Sequence, residues 1–167
     1  MKKTIAAALA LALAACATAV GTAYAPAGKS GYGYSQTRIE EGRYRVTFAG
    51  DGATPVNVVE DFALLRAADL ALEGGYDWFR VVGRSVEEDE KGGVGIGAGL
   101  GGGGRNVGGG VSGNLGNIGA RKFYTARMEV IFGKGEKPAD TEVYDARSVA
   151  DAIRSRTGAQ AGSQTNP

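Results

Sequence analysis

Between residues 92 and 119, 15 of 28 positions are glycine. Glycine loses more backbone freedom on ordering than any other residue, so a stretch of this kind adds little to a packed core. It divides what can fold. The periodic sequence from 37 to 156, less the tract, amounts to about 92 residues, enough for one small core and no second domain. The tract itself reads as a loop joining two strands. Its alternation from Gly93 to Gly99, with small-xxx-small spacings such as Gly95 to Gly99, also allows self-association through 92–119. Arg105, Asn106, Asn114 and Asn117 argue against its burial in lipid.

Around the tract, apolar periods place the elements. At 43–49, Tyr44, Val46 and Phe48 alternate with Arg43, Arg45 and Thr47, the pattern of a half-buried strand, and Asp51-Gly52 ends it. Asn57 with Glu60 three residues later reads as a helix start. Phe62, Leu65, Ala68 and Leu72 follow at helical spacing, and Gly74-Gly75 supplies a left-handed stop. Residues 78–82 are rich in strand formers, with Trp78 and Phe79 on opposite faces. Residues 122–132 make the longest strand, carrying Tyr124, Ala126, Met128, Val130 and Phe132 on one face. Val143, Ala146, Val149, Ala150 and Ile153 mark a short amphipathic helix. A strand–helix–strand unit of this length favours a parallel, right-handed crossover. The expected fold class is α+β: a small βαββα domain with two helices on one face of a mixed three-stranded sheet.

Upstream of the domain, Lys2 and Lys3 precede an apolar run at 5–15, which ends in Leu13-Ala14-Ala15-Cys16. The order is that of a bacterial export signal. The last four residues resemble the lipobox of bacterial lipoproteins at every position. That resemblance implies a diacylglycerol on the Cys16 thiol, a cut before it, and acylation of the new amino group. Each buried methylene contributes about 0.8 kcal/mol, so two or three chains anchor a domain stably. The run of about 11 residues is short of the roughly 20 that span a bilayer. A rival, ordinary cut is offered by Ala23-Tyr24-Ala25, but Pro26 directly after it is a poor residue there. The expected organisation is a signal peptide at 1–15, a lipidated cysteine and flexible tether at 16–36, the domain at 37–156, and a disordered tail at 157–167. Ala17 does not resemble the aspartate retention signal of Gram-negative sorting, which favours the outer membrane. Without residues 1–15 the chain keeps 17 of its 19 basic side chains against 18 acidic ones, so charge gives no reason to expect nucleic acid as a partner.

The chain has no histidine, and Cys16, its one cysteine, is assigned to lipid. The usual metal ligands, the common general base and the thiol nucleophile are thereby missing, so no catalytic residue, metal or cofactor is expected. The acidic run at 87–90 lacks the spacing of a calcium loop and reads as solvated charge, as does Glu40-Glu41. Gly28-Lys29-Ser30 ends like a P-loop, but Ala23 stands where its first glycine belongs. Gly97, Gly99 and Gly102 match a dinucleotide fingerprint only because any glycine run does. Tyr32 and Tyr34 lie outside any apolar period and are candidates for a partner contact.

The runs GYSQTRIEEGRYRVTFAG at 33–50, EDFALLRAADL at 60–70 and GYDWF at 75–79 resemble a group of small lipoproteins from Caulobacter-type bacteria. The resemblance covers about residues 33–84 and implies an envelope lipoprotein without implying any chemistry. The expected function is a lipid-anchored cell-envelope lipoprotein carrying a non-catalytic interaction domain. Its partners would be the membrane, through Cys16, and an envelope protein or cell-wall component. The alternatives are an envelope hydrolase using a carboxylate or serine, and a self-assembling structural protein using the glycine tract.

Overall fold

A computed structural model describes residues 21–91, 94–95, 117–118 and 121–159. Cys16, the leader, most of the glycine tract and residues 160–167 lie outside them. The elements in chain order are β1 (Gly33–Glu40), β2 (Arg43–Ala49), α1 (Val56–Glu73), β3 (Trp78–Lys91), β4 (Val94–Gly95), β5 (Asn117–Ile118), β6 (Arg121–Gly133), β7 (Val143–Asp145) and α2 (Ala146–Thr157).

The sheet corrects the expectation of three mixed strands. Five strands lie in the order β1-β2-β6-β3-β7, every neighbouring pair antiparallel, and the sheet curls into a half-barrel. The two unforeseen strands have weak signatures. In β1 only Gly33 and Tyr34 are buried, so no apolar alternation marks it. At three residues, β7 is too short to show a period. The third difference is that the strands flanking α1 do not pair with each other. β3 and β6 form one long hairpin, paired from Trp78↔Gly133 to Lys91↔Arg121, and Val94↔Ile118 keeps that register into β4 and β5. The tract thus begins and ends on paired strands. Because β6 also pairs with β2, it separates β2 from β3. These two are parallel to each other, each being antiparallel to β6, but they are not neighbours.

Both helices pack on one face of the sheet. That face carries Val46 and Phe48 of β2, Ala126, Met128, Val130 and Phe132 of β6, and Phe79 and Val81 of β3, all buried. Trp78 takes the other face and covers Gly133. In α1 the buried positions include Val59, Phe62, Ala63, Leu65 and Ala68. This helix starts after Pro55 with no side-chain cap, so Asn57 is not the cap, while Gly75 takes the expected left-handed backbone at φ 69°. Val143 belongs to β7 rather than to the second helix, and α2 is capped by Asp145, which accepts from the Ser148 N–H at 2.7 Å.

The tether expected at 16–36 is a fixed strap from Gly21 onward. Thr22 donates its N–H to Thr54 Oγ1 at 2.7 Å, and Asp51 donates its own to Thr22 Oγ1 at 2.8 Å. Tyr34 donates to the Ala25 carbonyl and accepts from the Ala27 N–H, so the strap turns back on β1. Gly33 makes this approach possible: its φ is 116°, and a Cβ there would meet the Ala25 carbonyl at 2.5 Å. The Tyr24 ring packs against Tyr34 at 4.9 Å and Phe62 at 5.4 Å.

Candidate functional site

Strand alternation sends Arg43, Arg45, Arg127 and Glu129 to the face that the helices leave open. Residues directly opposite across strands share a face, and register brings these four together. Arg45 and Gly83 flank Glu129 on its two sides, while Thr47 and Ser85 flank Arg127. A register shift between Val81 and Gly83 sets this arrangement. Because Gly83 projects nothing beside its long neighbours, a hollow of about 230 Å³ opens there, lined by Arg45, Arg84, Ser85, Arg127 and Glu129 among others.

Its charges are partly satisfied. Arg43 donates from Nε to Glu129 Oε1 at 2.8 Å, and this bond, ahead of that to Glu40, raises the Arg43 pKa. The other carboxylate oxygen faces Arg45 at 3.8 Å, beyond hydrogen-bond length. Arg127 pairs with Glu87. Two guanidinium groups, one oriented carboxylate and a serine hydroxyl can hold a polar anion.

A second polar cluster lies under the strap. Asp69, 7% exposed, accepts from Tyr24 Oη at 2.7 Å and from Arg154 at 2.5 Å. Burial first, then this hydrogen bond, pushes the Tyr24 hydroxyl far above the usual tyrosine range. Arg66, 2% exposed, pairs with Glu73 at 2.8 Å and lies 4.6 Å over the Tyr34 ring. These contacts join strap, β1 and both helices, and they read as structure.

Of the residues singled out from sequence, Cys16 lies outside the described residues. Tyr34 is buried in the core at 3% exposure and offers no partner contact; Tyr32 stacks on Phe123 with ring centroids 6.0 Å apart. The acidic run is strand rather than loop, and successive residues face opposite sides: Glu87 meets Arg127, and Glu88 meets Lys122 at 2.7 Å. Glu40 pairs with Arg43 at 3.3 Å. Among the described residues, no group of three or more His, Cys, Asp or Glu side chains is placed to hold a metal ion, and no helix is long and apolar enough to cross a membrane. Sequence reasoning missed Arg45, Gly83, Arg127 and Glu129. The only signal of the three charged residues was their place on the polar faces of two strands, which usually means solvent, and Gly83 carried no charge to mark it.

Fold and site together define a small α+β domain whose antiparallel sheet is helix-covered on one face and open and charged on the other. The chain matches no family model, no curated protein and no solved structure.

Proposed function

We propose that this protein is a lipid-anchored envelope lipoprotein whose domain binds, without catalysis, through the helix-free face of its sheet. The observation that carries the reading is the seat of Tyr24. A cut after Ala25 would remove the residue that packs on Tyr34 and Phe62 and donates to Asp69, leaving a buried carboxylate short of a partner. A cut before Cys16 keeps the strap whole. The resemblance to small lipoproteins points the same way.

The strap also changes the expected reach. Five Cα steps from Cys16 to Gly21, at most about 3.6 Å each, allow about 18 Å, against the longer span of a free tether. Gly21 sits on Thr54, in the loop between β2 and α1, and Gly52 of that loop lies beside Arg121 and Phe123. An anchored domain would therefore stand end-on and close to the bilayer, with this loop and the β3–β6 hairpin end toward it.

Intact mass and membrane partitioning in the native host, wild type beside Cys16→Ser, test the anchor. The expected result is a chain starting at Cys16 with acyl groups, in the membrane fraction, and a Cys16→Ser protein that is soluble or unprocessed. An unmodified chain starting at Pro26 would overturn the reading.

A further inference from the structure

Gly83 follows the register shift of β3, where a glycine is common, and it also leaves a hollow. A Cβ at Gly83 would meet only Glu129 Cβ at 3.7 Å, an ordinary contact, and the glycine is not in the left-handed region. The backbone therefore accepts a larger residue here, and glycine inside a strand otherwise weakens it. What glycine preserves is space. That space lies among Arg45, Arg127 and Glu129, with the Ser85 side chain on the same face as Arg127.

We propose that this hollow binds a small phosphorylated sugar or polyol, the phosphate held by Arg45 and Arg127 and a hydroxyl by Glu129 or Ser85. A phosphate carries three free oxygens, enough to accept from two guanidinium groups on separate strands and still leave one for a serine hydroxyl. Arg45 is available to turn, being 56% exposed and 3.8 Å from Glu129, and Arg127, itself partly exposed, would share its guanidinium between Glu87 and the ligand. Arg43 fixes the Glu129 carboxylate, which opposes a bare anion but accepts from a hydroxyl carried beside one. At about 230 Å³ and open to solvent, the hollow seats a small group without enclosing it. The assignment rests on the helix-free face being the binding face and is independent of the lipid.

The full chain carrying Cys16→Ser, titrated with glucose 1-phosphate and followed by backbone amide NMR, tests it. Saturable shifts centred on Gly83, Ser85 and Arg127 are expected, with glucose and inorganic phosphate each binding more weakly. Gly83→Leu, which fills the hollow, should abolish the shifts, and Arg127→Gln should weaken binding by about tenfold while the amide spectrum keeps its folded dispersion. Should Gly83→Leu fail to fold, the double variant Arg45→Gln with Arg127→Gln, confined to exposed side chains, decides instead and should bind nothing. The site is refuted by an absence of saturable shifts, by equal binding in the filled or double variant, or by sulfate binding as well as glucose 1-phosphate, which would mark a counterion patch. None of these outcomes bears on the anchor, which is read by mass and partitioning.

Discussion

Tyr24 links the strap to both helices through one carboxylate, because Asp69 also accepts from Arg154. Tyr24→Phe removes that hydrogen bond while keeping the ring contacts, and is expected to lower stability by about 1 kcal/mol at neutral pH, read by urea unfolding. Its alkaline behaviour follows from linkage. The folded-state pKa is raised, by burial first and by the bond to Asp69 second, so the folded protein keeps a proton that the unfolded chain releases near pH 10. Stability from this group is present in full below about pH 10 and falls as the pH rises further. Wild type should lose more stability than Tyr24→Phe between pH 9 and pH 11; equal losses would mean that the hydroxyl is not held as the structure places it. Tyr34, raised chiefly by burial, acts in the same direction in both proteins.

The two helices start differently, and their starts can be compared. Asp145 caps α2, and the Ser148 N–H holds its carboxyl below the usual aspartate range. Asp145→Ala is expected to cost about 1 kcal/mol. That contribution is complete above the unfolded aspartate value, about 3.9, and is lost as the pH falls through the lower folded value. Helix α1 has no such cap, and exposed Asn57 makes no capping bond. Asn57→Ala should change stability by no more than about 0.5 kcal/mol. Urea midpoints of the two variants, measured side by side at pH 7 and again near pH 3, check both statements.

For the whole molecule, the β3–β6 hairpin decides the topology. Val94↔Ile118 and Gly95↔Asn117 keep its register after Lys91↔Arg121, so the glycine tract closes a hairpin that the flanking strands already define. Replacing residues 96–116 by a two-residue Asn-Gly turn shortens the closed loop by about three doublings, and at about 0.6 kcal/mol each the domain should gain roughly 2 kcal/mol. A urea midpoint that falls instead would show that the tract makes stabilising contacts with the domain. Much of this architecture is legible in the chain. The apolar faces of β2 and β6 and the glycine stop of α1 stand where their periods place them, because a period is a local property set by which side chains must leave water. β1 is not legible, since a polar edge strand with one buried side chain has no alternation to read. Nor are Arg66 and Asp69, charged residues that a helical pattern assigns to solvent and that the strap, β1 and α2 cover. The candidate hollow was visible only as charges on polar faces, and cross-strand register made it a place. By itself, then, the sequence determined the apolar faces of β2 and β6 and the glycine stop of α1. The tertiary structure alone decided the strand order, the seat of the strap and the meeting of Arg45, Gly83, Arg127 and Glu129. Pairing is a competition among distant segments, and β6 won the position between β2 and β3 because it could bond along both.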